Sequence, residues 1–368
     1  MNIVYIITKA DEIGGAQVHV RDLSIAMSQL GHTVTVIVGE YGALTDQLNE
    51  NKINYIVEPK LTRNISPLKD LLCAIKLRSM LKKLTPDIVT LHSSKAGIIG
   101  RAALIGSKIP CIFTAHGWAF ADGVSKKRKH IYILIEKIFS NFCNKIITVS
   151  HQDKNLAIKY KVTSSNKQVV IHNGIPDNTI SLQIQNKLTN IINIICVARF
   201  SEQKDHSTLF KALSNLKQKN WQLNLVGKGP LEQNAKELVN ELGLNEKVNF
   251  LGERHDVGNL LSSSDIFILP SNWEGLPISI IEAMSFSLPI IASDVGGVSE
   301  MVSSSNGILV PRGNIELMRN AIVTLLENEK IRVDMGNSSR KLYCDNFNFQ
   351  IMLEKTSNLY HQVSEKKI

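Results

Sequence analysis

The chain alternates two kinds of hydrophobic pattern. Short apolar runs rich in β-branched residues occur at Ile3 to Ile7, Thr33 to Val38, Ile88 to Leu91, Cys111 to Thr114, Lys145 to Val149 and Gln168 to Ile171. Between them lie longer segments with helical patterning, such as Gln17 to Leu30, Pro67 to Leu84 and Ile131 to Asn144. Strands alternating with helices predict parallel sheets flanked by helices. The rhythm restarts in the second half, where strands are predicted at Ile191 to Val197, Leu223 to Val226, Val248 to Leu251, Ile266 to Leu269, Ile290 to Ala292 and Gly307 to Val310. Residues near Ile175 to Leu188 are rich in Asn, Gln and Ser and lack clear periodicity, which suits a linker. A chain of 368 residues exceeds the size at which one core usually keeps growing, so two domains are expected. The pattern divides into a Rossmann-like domain at 1–175, a linker at 176–190 and a second Rossmann-like domain at 191–347. A last helix at about 348–365 can pack on either domain, including back on the first. In open parallel sheets, ligands bind beyond the carboxyl ends of the strands. Two such domains facing each other make a cleft, and functional motifs belong just after strands.

Composition adds compartment and partners. Apolar residues make up 43% and charged residues 20%, which argues against disorder. Cys73, Cys111, Cys143, Cys196 and Cys344 lack metal-site or redox spacing and read as single thiols of a reducing cytoplasm. The N-terminus does not resemble a signal peptide, and no apolar run approaches the roughly 20 residues that span a bilayer. The formal net charge of +9 is concentrated: Lys60 to Lys137 holds 15 Lys/Arg against four acids, Asp70, Asp87, Asp122 and Glu136. Ser125 to Lys129 precedes the apolar Ile131 to Phe139, and Leu68 to Leu84 also mixes leucine with basic residues. Basic residues beside an exposed apolar face would favour an anionic membrane surface; a buried helix with a solvated loop is the alternative. The expected location is cytoplasmic, peripheral on the inner face of the plasma membrane. Nucleic acid is disfavoured, because aromatic content is 6% and no DNA-binding spacing stands out.

The densest chemistry lies between Asp265 and Glu300. An apolar strand runs into the polar turn with Glu274 and Gly275, then into a helix holding Glu282, and a second strand ends at Ser293-Asp294-Val295-Gly296-Gly297. A helix N-terminus offers unpaired N–H groups to an anion, and a carboxylate beside it can accept hydrogen bonds from neighbouring sugar hydroxyls. Arg199 and Lys204 follow a predicted strand and have the reach to grip a diphosphate, although that spacing alone would equally suit a surface salt bridge. Gly14 and Gly15 sit between the first strand and helix, where glycine permits close approach to phosphate or merely makes a tight turn. His116 closes the Cys111 to Thr114 strand; His92 also follows a strand and could line the cleft. Gly227-Lys-Gly229 lacks the third glycine of a nicotinamide-binding fingerprint, because position 232 is Glu. The absence of an Asp-x-Asp triplet leaves no evident metal clamp, so no metal and no cofactor are expected.

Glu274 and Glu282, followed by Ser293 to Gly297, resemble the donor-site signature of retaining GT-B glycosyltransferases of family 4. The resemblance covers nearly the whole chain. Gly14-Gly15 is similar to the family's N-terminal glycine loop, His116 to its active-site histidine, Arg199 and Lys204 to its diphosphate-binding pair, and Gly227-Lys-Gly229-Pro to its glycine turn. It implies a GT-B fold: two Rossmann-like domains facing across a cleft. Glu282 would bind ribose, Glu274, Gly275 and Leu276 the donor hexose and its surroundings, and His116 the transferred sugar. His92, Lys95 and Asp122 would lie towards the acceptor. Ala16-Gln17 departs from the acidic residue often found after the glycine pair, and Pro277 replaces a glycine common in relatives, removing a backbone donor.

The pieces around His92 and His116 further resemble builders of bacterial capsule, exopolysaccharide or O-antigen. The implied reaction moves a hexose or N-acetylhexosamine from a nucleotide-sugar, UDP-linked before GDP-linked, to a lipid-linked or growing surface polysaccharide. The implied acceptor carrier is undecaprenyl diphosphate. A nucleotide-sugar epimerase of the same fold and a non-catalytic nucleotide-sugar-binding protein are the alternatives.

Overall fold

The computed structural model describes residues 1–11, 13–121, 123–177 and 191–365. Seven parallel strands form the first sheet: β1 (Asn2–Ile7), β2 (Thr33–Val38), β3 (Asn54–Val57), β4 (Ile88–His92), β5 (Cys111–Ala115), β6 (Lys145–Thr148) and β7 (Gln168–Val170). Their order is β3-β2-β1-β4-β5-β6-β7. The helices between them are α1 (Gly15–Gln29), α2 (Ala43–Glu50), α3 (Pro67–Leu84), α4 (Ser94–Ala103), α5 (Lys126–Phe139) and α6 (His151–Lys159). Every residue of β4 and β5 is buried, as expected of central parallel strands covered on both faces.

The second sheet has six parallel strands: β8 (Ile192–Val197), β9 (Trp221–Val226), β10 (Val248–Gly252), β11 (Ile266–Leu269), β12 (Ile290–Ser293) and β13 (Gly307–Val310). Their order is β10-β9-β8-β11-β12-β13. Helices α7 (His206–Ser214), α8 (Glu232–Glu241), α9 (Val257–Ser262), α10 (Ile278–Ser285), α11 (Ile315–Glu327) and α12 (Glu329–Leu342) accompany them. The chain divides into two units, Met1–Asn173 with Met352–Ile368, and Gly174–Ile351. The last helix, α13 (Phe349–Glu365), begins in the second unit and from Met352 belongs with the first. There Tyr360 is buried beside Tyr5, with ring centroids 6.5 Å apart. In each sheet the strand order reverses at one place, between β1 and β4 and between β8 and β11. The loops leaving the two strands at such a point diverge and open a crevice for ligands.

Two elements differ from the sequence expectation. Strand β3 was not predicted; it is an edge strand with no fully buried residue, so it lacks the apolar run that marks the others. Helix α5 spans Lys126–Phe139 rather than Ile131 to Asn144, so Lys126, Lys127, Arg128 and Lys129 form its first turn instead of a preceding loop. Exposed basic residues carry no helical hydrophobic period, and like charge at a helix N-terminus opposes the macrodipole. Of the linker placed at 176–190, Pro176 and Asp177 are described, and Asp177 accepts from Arg340 Nη2 at 2.5 Å. Residues 178–190 lie outside the described residues.

Helices α3, α4 and α5 share one layer. Cys73 and Leu77 of α3, Ile99 of α4 and Ile133 of α5 belong to a single core with Val89 and Phe113 of the sheet. Within this layer, fully buried Arg101 donates to Glu136 Oε2 at 2.8 Å and to the Gly97 carbonyl at 2.7 Å. Its guanidinium lies 4.4 Å from the Phe113 ring centroid. Among the described residues, no helix is long and apolar enough to cross a membrane.

Candidate active site

In the first unit, predicted residues gather at the β1/β4 reversal. Gly14 is the residue before α1, and its N–H donates to Gln17 Oε1 at 3.2 Å. Its φ of −114° is open to any residue, so the backbone does not require glycine there. Gly14 and Gly15 are exposed. His116 follows β5, half-buried, and its Nε2 lies 3.1 Å from Nδ1 of His92 at the end of β4. His92 Nε2 in turn lies 2.8 Å from Thr90 Oγ1, and Tyr360 OH donates to that oxygen at 3.4 Å. His19 of α1 completes the cluster, its ring centroid 4.8 Å from that of His116. Burial pushes the His116 imidazole down to about 4 and holds His19 and His92 well below the usual histidine range. For His92 the neighbouring His116 and His19 add to burial. His116 is therefore neutral at pH 7, able to donate and accept hydrogen bonds but carrying no charge.

Two acceptor-side expectations change. His92 is fully buried behind His116 and does not itself line a surface. Lys95 is held by Asp70 Oδ2 at 2.5 Å and by the Asn64 carbonyl at 2.9 Å, which ties α4 to the start of α3. Asp122 lies outside the described residues.

In the second unit, the loops after β8, β11 and β12 meet at the β8/β11 reversal. Lys204 and Glu274 form an ion pair, with side chains 12% and 5% exposed. Glu274 also accepts from Ser271 Oγ at 2.6 Å and from Gln203 Nε2 at 3.2 Å. Backbone bonds clamp the two loops together: Asn272 N–H donates to Gln203 O at 2.7 Å, and Asp205 N–H to Pro270 O at 3.1 Å. Arg199, on the same loop as Lys204, is exposed at the end of β8. Gly296 sits at φ +58°, and a Cβ there would lie 2.0 Å from the Glu274 carbonyl oxygen. Gly297 N–H donates to Gly275 O at 2.8 Å, Leu276 is buried behind the turn, and Glu282 is half-buried in α10. Pro277 is the residue preceding α10 and supplies no N–H.

Gly227 and Gly229 have a packing reason of their own. A Cβ on Gly227 would lie 2.3 Å from Ala198 O, and one on Gly229 would lie 2.2 Å from Phe200 O. These glycines let the turn after β9 press against the backbone carrying Arg199. Behind that backbone, buried His206 stacks on Phe200 with centroids 4.5 Å apart and donates from Nδ1 to the Lys204 carbonyl at 3.2 Å. Burial pushes the His206 imidazole down to about 4. Sequence reasoning did not single out His19, Gln203, His206 or Ser271. Gln203 and Ser271 lie inside motifs already noted; His19 and His206 on their helices carry no local signal.

Residues 13–179 match the family described as Glycosyltransferase Family 4, and residues 178–342 match Glycosyl transferases group 1. The chain is 31% identical over 343 residues to an Escherichia coli UDP-Gal:alpha-D-GlcNAc-diphosphoundecaprenol alpha-1,3-galactosyltransferase, covering 89% of this chain and 88% of that one. The chain belongs to the family 4 type of GT-B glycosyltransferases. It is also 30% identical over 311 residues to the Escherichia coli O-antigen biosynthesis glycosyltransferase WbnH, covering 84% and 86% of the two chains. The structure of Anabaena Alr3699/HepE in complex with UDP superposes with a TM-score of 0.83 at 20% identity, covering 98% of this chain and 100% of that one. That likeness agrees with two Rossmann-like units and with the GT-B fold expected from the sequence.

Proposed function

We propose that this glycosyltransferase moves a hexose or N-acetylhexosamine, with retention of anomeric configuration, from a UDP-sugar to a hydroxyl of a lipid-linked bacterial surface polysaccharide. The observation that carries the donor side is the buried Lys204–Glu274 pair beside Arg199 at the β8/β11 reversal. Lys204 and Arg199 offer cationic donors for a diphosphate, and Glu274 accepts from sugar hydroxyls on the same loop pair. Glu282 accepts from ribose. The name of the galactosyltransferase relative supports uridine as the base and an undecaprenyl-diphosphate-linked saccharide as the acceptor.

In the proposed reaction the C1–oxygen bond to the diphosphate breaks and the acceptor oxygen bonds to C1 on the same face. The acceptor proton passes to the departing diphosphate oxygen. Negative charge grows on that diphosphate, where Arg199 and Lys204 stabilise it without a metal cofactor. Neutral His116 hydrogen-bonds the transferred sugar.

An anionic inner membrane surface is the proposed location. Leu68, Leu71, Leu72 and Ile75 form one exposed stripe of α3, and Ile131, Leu134 and Ile138 one of α5. Both helices lie in the same layer, and the exposed Lys126, Lys127 and Arg128 open α5. A thermal-shift panel of UDP- and GDP-sugars, followed by transfer to a synthetic undecaprenyl-diphosphate-linked N-acetylglucosamine, tests the reading. UDP-sugar at 100 times Kd should add about 2.7 kcal/mol of stability. A flat response to every nucleotide-sugar sinks the donor site. An inverted anomeric centre in the product, read by NMR coupling, sinks retention.

A further inference from the structure

His19, His92 and His116 come from α1, the end of β4 and the residue after β5, yet their rings form a compact triangle. The centroids are 4.8 Å apart for His19 and His116, 5.4 Å for His19 and His92, and 5.4 Å for His92 and His116. One ring nitrogen from each lies within 4.8 Å of those of the other two. An imidazole bound to zinc through a bond of about 2.0–2.1 Å has its centroid about 3.2 Å from the ion, so three on a tetrahedral ion stand about 5.2 Å apart. The rings already have that spacing. The nitrogens need to turn inward, to a separation of about 3.4 Å.

A second observation concerns His19. The residue is 6% exposed, and its Nδ1 is buried without a hydrogen-bond partner. Such an atom in a native interior calls for a water, an ion or a ligand. Thr90 supplies what a metal-bound His92 needs, because its Oγ1, 2.8 Å from Nε2, can accept an N–H as well as donate. With the proton on Nε2, Nδ1 is free to ligate in place of its hydrogen bond to His116. An oxygen behind a ligating imidazole fixes the tautomer and raises ligand basicity.

We propose that His19, His92 and His116 form a three-imidazole site for a divalent transition-metal ion of the zinc class, with a fourth position open on the half-exposed side of His116. All three histidines lie in the first unit, whereas Arg199 and Lys204 lie in the second. Resting on the reading of His116 as a sugar contact, it follows that an ion held by His116 alters the imidazole the sugar meets and slows transfer reversibly.

Binding is measured on the full chain without donor or acceptor. Titration with zinc chloride after chelator treatment should give one tight ion per chain. Cobalt(II) should give the intense visible absorption of a four-coordinate ion rather than the weak band of an octahedral one. His19→Gln should lower zinc affinity at least tenfold, and Thr90→Val should lower it about 10- to 100-fold through the lost outer contact. Replacing both His151 and His172, whose rings lie 5.7 Å apart, should leave it unchanged. A wild-type chain that binds no zinc, or gives only octahedral cobalt, overturns the site. So does affinity that survives His19→Gln or disappears with His151 and His172. The wild-type cobalt spectrum does not depend on whether any variant folds. A chain that binds UDP-sugar but no zinc rejects the metal site while retaining the transferase reading.

Discussion

Lys204 and Glu274 pair across 70 residues of sequence, although the resemblance assigns one to the diphosphate and the other to the sugar. Each therefore offsets the other's charge in a buried place, and under the proposed function a donor engages both. Lys204→Ala and Arg199→Ala should each lower kcat about 100- to 1,000-fold under saturating UDP-sugar, the range seen when one donor to developing negative charge is removed. Unchanged turnover in Arg199→Ala would remove it from the charge-stabilising role. His206 gives a stability prediction at the same scale. Its imidazole is held at about 4 in the folded chain and returns to about 6.5 when unfolded. The unfolded chain then binds more protons between those values, so the contribution is whole above pH 6.5 and is lost as pH falls towards 4. The loss should reach about 3 kcal/mol. Urea unfolding of the wild type and His206→Gln at pH 7 and pH 4.5 reads it, since the variant should show a smaller acid-induced loss. Equal losses in both would remove His206 as the cause.

The Arg101–Glu136 pair joins α4 to α5 inside the first unit's core, where neither charge meets water. Breaking it by removing one partner leaves an unpaired buried charge. Glu136→Leu should cost about 3–5 kcal/mol, whereas the double variant Arg101→Met/Glu136→Leu should recover most of it. Chemical denaturation of the three chains checks this, and a double variant no better than the single one would refute it. The pair was invisible in the sequence because its partners are 35 residues apart on different helices. The first turn of α5 was hidden for another reason: Lys126, Lys127 and Arg128 face solvent and leave no apolar period. Strand β8 and its loop were legible, because Ile194, Ile195 and Cys196 form a buried apolar run and Arg199 follows it closely.

For the whole molecule, the net charge of +9 matters through its placement. Lys126, Lys127 and Arg128 open α5, whose apolar stripe is exposed in the same layer as that of α3. Near an anionic bilayer each cation is worth about 1 kcal/mol, so replacing all three by serine should weaken binding to phosphatidylglycerol vesicles roughly 100-fold. Raised salt should weaken the wild type in the same direction. Vesicle flotation measures both. Loss of binding in Leu71→Glu/Leu134→Glu, with UDP-sugar binding retained, would separate the membrane face from the donor site.

Sequence alone determined the alternation of strands and helices, the two Rossmann-like halves, and the positions of Arg199, Lys204, Glu274 and His116 at strand ends. These follow from local periodicity and from the rule that parallel strands deliver their ligands at carboxyl ends. The tertiary structure decided which of these residues meet. Strand β5 lies beside β4 and β11 beside β8, and that order sets His92 under His116 and Glu274 against Lys204. It also decided that His92 is interior and that Lys95 is tied to Asp70. Burial and pairing depend on what the rest of the chain places opposite a side chain, and residues 24 or 70 positions away leave no trace in a local pattern.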